Sequence, residues 1–207
     1  MLEWSIAAFR QCPSVTAVVI ACPPGHEPDL SGDDLTLVEG GETRAISVSN
    51  ALREVETELM AIHDAARPLL TPELVEGVVA ALVADPEAAG AIAATPVTDT
   101  VKQAAGTKDA FASVEIGNAS FAIEETLDRD RLWAAQTPQV FRAEALRKAL
   151  AGDPERVKAA TDEAMLVEEA GGRVLIHPSP PENLKVTTPL DLRLAELLLA
   201  DARAGGG

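Results

Sequence analysis

ELMAIHDAARPLL, residues 58–70, holds the pattern from which the fold is read. Leu59-Met60-Ala61-Ile62 is too continuously apolar to leave one side of a strand in water. It runs straight into His63, Asp64 and Arg67 before Pro68 ends it. A carboxylate and a guanidinium therefore stand at the carboxyl end of a buried strand, where open α/β sheets bind their ligands.

Similar short runs recur on either side. Ala17–Ala21, Leu35–Val38, Ala91–Ala94 and Arg173–Ile176 read as further strands. Between them, residues 2–11, 43–55, 71–84, 138–150, 162–170 and 189–202 carry helical periodicity. That alternation predicts an α/β fold with a mostly parallel sheet and helices on both faces. Thr71-Pro72, Thr137-Pro138 and Thr188-Pro189 each place a hydroxyl before a proline, the signature of a helix start, and Asp191 completes an acidic capping box. The polar, glycine-punctuated stretch from about 99 to 133 breaks the rhythm. Phe111–Ile116 and Ser120–Ile123 around Gly117-Asn118 predict a projecting β-hairpin arm, and its Phe and Ile side chains point to contact with a second copy.

The chain of 207 residues reads as a single domain, 1–207. Its formal net charge of −16 disfavours general attraction to nucleic acid or anionic lipid. An anionic ligand must then be met by a local cluster of Lys and Arg. Cys12 and Cys22 lack metal-ligand spacing and a disulfide framework, so packed, reduced thiols are expected. No basic leader precedes a long apolar core and no run reaches bilayer length, so a cytoplasmic protein is expected.

The charged candidates each carry two readings. Asp64 and Arg67 form an anion or metal-nucleotide site, or a strand-end ion pair. Lys185, inside Asn183–Thr187 read as a short strand, meets a ligand phosphate, or guards a sheet edge. Arg44 and Ser47 open a helix that holds part of a nucleotide, or merely begins a surface helix. His26, His63 and His177 show no ligand pairing, and no Ser-His-Asp arrangement stands out.

HDAARP (63–68), PVTDTVK (96–102), LDRDRLWAAQTPQVF (127–141), ATDEA (160–164), NLKVTTPLDLRLAE (183–196) and GGETRAISV (40–48) together resemble the 2-C-methyl-D-erythritol 4-phosphate cytidylyltransferases, from Leu2 to about Leu199. The resemblance implies a Rossmann-like nucleotidyltransferase that joins CTP to methylerythritol phosphate in isoprenoid-precursor synthesis. Pyrophosphate is released, and Mg2+ travels on the nucleotide. It implies catalytic roles for Arg129, Lys185 and Asp64, and acceptor binding by Arg67, Thr137 and Thr161. Gly41, Glu42 and Ser47 match the cytosine end. Thr100 and Arg129 match arm residues that reach across a homodimer. No residue is implied as a metal ligand.

The chain also departs from that pattern. Family members begin with a strand and a glycine-rich, arginine-bearing loop that wraps the CTP phosphates, whereas Met1-Leu2-Glu3-Trp4 aligns with the helix after them. An N-terminally truncated domain with impaired turnover and two exposed strand edges is the expectation. A non-catalytic dimeric module binding a sugar phosphate, or a nucleotidyltransferase with another substrate, is the alternative.

Overall fold

The alternating runs become strands and helices that layer on one another. The computed structural model describes residues 1–26, 28–30, 32–105 and 121–205. By their contacts they form two units, Met1–Ala94 with Ala135–Gly207, and Thr95–Ala134.

In the first unit, α1 (Leu2–Arg10) leads to β1 (Val18–Cys22), β2 (Leu35–Glu39), α2 (Arg44–Leu52), β3 (Leu59–Ile62), α3 (Pro72–Val83) and β4 (Ala88–Pro96). After the second unit come β7 (Trp133–Arg142), α4 (Ala143–Leu150), α5 (Pro154–Ala159), α6 (Glu163–Glu169), β8 (Arg173–Pro178) and α7 (Pro189–Gly205). β1 and β2 pair in parallel, with Val18 opposite Leu35. A second sheet has the order β3-β7-β4-β8. There β4 and β8 are parallel, and β7 runs antiparallel to β3, with Ile62 opposite Gln139. The sheet is thus mixed rather than wholly parallel.

Strand alternation sorts the core onto two faces. Met60, Ile62, Ile92 and Phe141 pack with α2, α4 and α6. Ala91, Ala93 and Val140, with Leu59 and Ala61, pack with α1 and α3. Gly90 matters here, because a Cβ would come within 2.4 Å of the Phe141 ring. Its bare backbone lets β4 lie against that ring.

β1 and β3 are not paired with each other, and an apolar cleft of about 670 Å3 lies between them. Val18–Ala21 line one side and Leu59–Ile62 the other.

Two local expectations fail. Residues 138–142, read as the start of a helix, belong to β7, and α4 begins only at Ala143. Thr137-Pro138 imitates a helix start, but Pro138 falls just before the rungs that β7 shares with β3, so its missing N–H removes no bond from that ladder. Asn183–Thr187, read as a strand, joins no sheet; Val186 N–H makes a single 2.8 Å bond to Ala66 O. Other starts match their patterns. Thr71 Oγ1 accepts from Leu74 N–H, and Asp191 Oδ2 accepts from the N–H groups of Thr187 and Thr188. Those bonds draw the Asp191 carboxyl down to about 2.

In the second unit, β5 (Lys102–Ala104) pairs antiparallel with β6 (Ile123–Thr126), and a 3-10 turn follows at Arg129–Arg131. The hairpin tip expected around Phe111–Ile116 and Gly117-Asn118 lies outside the described residues. Both cysteines are buried thiols outside any disulfide, and burial pushes the Cys12 thiol up to about 11. Among the described residues no helix is long and apolar enough to cross a membrane.

Candidate active site

Charged side chains converge beyond the carboxyl end of β3. Asp64 stands two residues beyond the end of that strand and faces three cations. Arg44 Nε, at the first residue of α2, lies 3.1 Å from Oδ1, and Lys185 Nζ lies 2.9 Å from Oδ2. Arg67 Nε stands 3.9 Å from the same Oδ2. Burial pushes the Asp64 carboxyl up, but the hydrogen bond from Lys185 and the charge of Arg44 outweigh it and hold the group below the usual carboxylate range. Arg44 also grips Glu163, which is 1 % exposed at the start of α6. Burial raises the Glu163 carboxyl, with Arg44 opposing it.

Arg67 is 8 % exposed, an unusual place for a guanidinium unless it is held. Its Nη1 donates to Asn183 O at 2.8 Å, and its Nε has no hydrogen-bond partner among the described residues. Burial, the largest influence, lowers its proton affinity. The pocket so formed has a volume of about 250 Å3, and Thr137, Thr161 and Lys185 line it with Arg44, Asp64 and Arg67.

The turn from 63 to 67 is braced from beneath. His63 Nε2 lies 3.1 Å from Arg67 O, which can only accept, so Nε2 carries the proton. Nδ1 is then bare and accepts the Thr137 hydroxyl at 3.0 Å, while Thr137 Oγ1 accepts Asp64 N–H at 3.0 Å. Burial lowers His63 to about 4, so the imidazole is neutral at pH 7. The Thr137 proton is thereby committed to His63. Neither Thr137 nor Thr161 caps a helix: Thr137 lies within β7, and Asp162 Oδ1 caps α6 by accepting Met165 N–H.

Gly41, Glu42 and Ser47 sit at the turn into α2. Ser47 Oγ accepts Gly41 N–H at 3.0 Å and donates to Thr43 O. A Cβ on Gly41 would fall 2.0 Å from Ile46, so this tight turn admits only glycine. Thr100 and Arg129 lie in the second unit, where Arg129 Nη1 donates to Thr98 O. Five of the predicted site residues thus share one pocket: Asp64, Arg67, Thr137, Thr161 and Lys185. Among the described residues no group of three His, Cys, Asp or Glu side chains is placed to hold a metal ion.

Sequence reasoning missed Glu163, Gln136, Asn183 and the bracing role of His63. Arg44, at the start of α2, is held between Asp64 and Glu163 rather than lying on a plain surface helix start. Only ATDEA offered a signal for Glu163, since a buried acid at a helix start needs a cation nearby. The others depend on partners far off in the chain, His63 on Thr137 and Asn183 on Gln136 and Thr137.

Residues 1–201 match the family model for 2-C-methyl-D-erythritol 4-phosphate cytidylyltransferase. The cytidylyltransferase of that name from Symbiobacterium thermophilum is 38% identical over 211 residues, which cover 97% of this chain and 81% of that protein. The bifunctional enzyme IspD/IspF of Anaeromyxobacter dehalogenans is 39% identical over the whole of this chain, which spans 52% of that longer protein. The crystal structure of the Thermus thermophilus 2-C-methyl-D-erythritol 4-phosphate cytidylyltransferase superposes with a TM-score of 0.76 at 34% identity, over 96% of this chain and 88% of that one.

Proposed function

Because the chain belongs to the 2-C-methyl-D-erythritol 4-phosphate cytidylyltransferase family, we propose that it transfers a cytidylyl group from CTP to methylerythritol phosphate and releases pyrophosphate. The observation that carries this reading is the meeting of Arg67 and Lys185 on Asp64 at the end of β3. In an acidic protein, that pocket supplies the local cations a phosphate needs.

In the reaction, an oxygen of the acceptor phosphate forms a bond to the α-phosphorus of CTP. The bond to the β-phosphate breaks, and its electrons leave on pyrophosphate. Such a transfer asks the protein to hold two anions in line and to neutralise charge. Arg67 and Lys185 take the acceptor phosphate. Asp64 keeps both cations in place and accepts from acceptor hydroxyls. Thr161 lines the pocket, and Thr137 holds the Asp64 turn. Gly41, Glu42 and Ser47 offer the tight turn that receives cytosine. Thr100 and Arg129 act from the second unit on the site of a partner copy in a homodimer.

Mg2+ fits this chain as the counterion of the nucleotide phosphates, because both Asp64 oxygens already face cations and Mg2+ needs few protein ligands when phosphates are present. When bound it would offset charge on the transferring phosphate. A cytoplasmic setting agrees with the two reduced thiols.

Calorimetry with methylerythritol phosphate, followed by an assay of pyrophosphate release with CTP and Mg2+, tests the proposal. Saturable binding of the acceptor supports it. No binding at millimolar acceptor and no pyrophosphate would sink it. Binding without pyrophosphate would favour the second reading, a sugar-phosphate-binding module. The internal use of Ser47 Oγ at the α2 turn is the observation on that side.

A further inference from the structure

We propose that Asn183 is a positioning residue of the pocket, acting through Arg67 and Lys185; this rests on the pocket being the acceptor-phosphate site. Asn183 is 1 % exposed and stands at a three-way junction. Its Nδ2 donates to Gln136 Oε1 at 2.9 Å and to Thr137 O at 2.9 Å, with Ser179 Oγ at 3.3 Å. Its main-chain oxygen accepts Arg67 Nη1 at 2.8 Å. Three residues on, Val186 N–H donates to Ala66 O, and between them Lys185 reaches Asp64. One side chain therefore ties the 183–186 segment to β7, while the backbone of that segment ties it to the 64–67 turn.

The chemistry of the junction selects asparagine. Thr137 O can only accept, and Gln136 Oε1 also takes a hydrogen bond from Ser179 Oγ at 2.8 Å, so the two face a donor fork. A carboxylate there would set oxygen against oxygen. An alanine would leave two buried acceptors short of donors. In either case the 183–186 segment loses its anchor to β7. The Arg67 contact and the reach of Lys185 then lose their common reference point, although neither cation has been changed. Asn183, almost fully buried, acts without touching the ligand. Its effect appears as acceptor affinity and as loosening of one segment.

Two readouts on the full chain test this. In Asn183→Ala, calorimetric affinity for methylerythritol phosphate should fall about tenfold, the scale of one weakened charge-assisted contact. By hydrogen exchange, the Val186 amide should exchange about tenfold faster while Ala91–Ala94 of β4 stay as protected as in the parent. Combined with Arg67→Ala, Asn183→Ala should cost clearly less than the roughly tenfold it costs in the parent, because only the Lys185 route remains for it to act through. Asn183→Asp, which keeps the shape and removes donors, carries the same comparison if the alanine variant does not fold. Unchanged exchange at Val186, or equal loss of protection in β4, overturns the proposal. If the parent chain binds no methylerythritol phosphate, the reading of the pocket falls, and the exchange at Val186 still decides whether Asn183 anchors this segment.

Discussion

The apolar cleft between β1 and β3 has more than twice the volume of the polar pocket beyond β3, about 670 against about 250 Å3, yet the charges gather in the smaller space. Val18–Ala21 and Leu59–Ile62 give the cleft walls of methyl and methylene groups along most of its length. Such walls cannot compensate an anion for the water it would lose. The pocket holds Arg44, Arg67 and Lys185 around the Asp64 carboxylate. What marks the site is therefore charge held in place by further hydrogen bonds, not empty volume. Arg44 and Asp64 border both spaces, so the two regions meet at that ion pair.

Substitutions can break this contrast. The largest effect is expected from Arg67→Ala, which should weaken methylerythritol phosphate binding about a hundredfold, or about 2.7 kcal/mol, by calorimetry. Retained affinity would mean that the pocket is only a structural ion-pair cluster.

A second test uses pH. His63 is depressed to about 4 in the fold, against 6.5 for an ordinary histidine. Below 6.5 the unfolded chain binds the proton that folded His63 refuses, so stability falls as pH drops from 6.5 towards 4. Thr137, Arg67 O, Asp64 and the Phe9 ring surround this imidazole. Glu163, raised in the fold, works in the opposite sense, and the depressed Asp64 loses its contribution only at lower pH. Urea unfolding of the parent and of His63→Gln at pH 6.5 and pH 5 isolates the histidine. The parent should lose about 1.5 kcal/mol more than the variant over that range. Parallel losses would mean that His63 titrates normally and does not brace the turn.

Lys185→Gln should cost about tenfold in acceptor affinity, less than Arg67→Ala because the lysine is half-exposed and its charge is partly screened by water. Equal losses would assign the two cations equal shares. The smallest effect belongs to the rim of the cleft. Val83→Ser, at a position 59 % exposed, should change unfolding free energy by less than about 0.5 kcal/mol and leave acceptor affinity untouched. A loss of affinity there would tie the cleft to ligand binding.

Much of this architecture was legible residue by residue. Leu59–Ile62 became β3 with the expected bounds, and the caps at Thr71 and Thr188 formed as their spacing required. Asp64, Arg67 and Lys185, singled out for standing where charges are costly, do converge. Thr137-Pro138 misled because a strand in the middle of a sheet used a local pattern that also begins helices. Lys185 was credited to a strand, but its segment is held by Asn183, Arg67 and one backbone bond rather than by a ladder.

Alone, the residue order determined the family and the identity of the principal charged groups, and it determined most strand and helix periods and the helix starts at Thr71 and Thr188, since those local features depend on neighbours within a few positions. Tertiary structure alone decided that Glu163 lies beneath Arg44, that neutral His63 holds Thr137 and Asp64 together, and that β1 and β3 stand apart across an apolar cleft. Each depends on which distant segments pack side by side. A buried polar group takes its role from the partner that satisfies it, and that partner is chosen by the packing of the whole unit rather than by the local sequence.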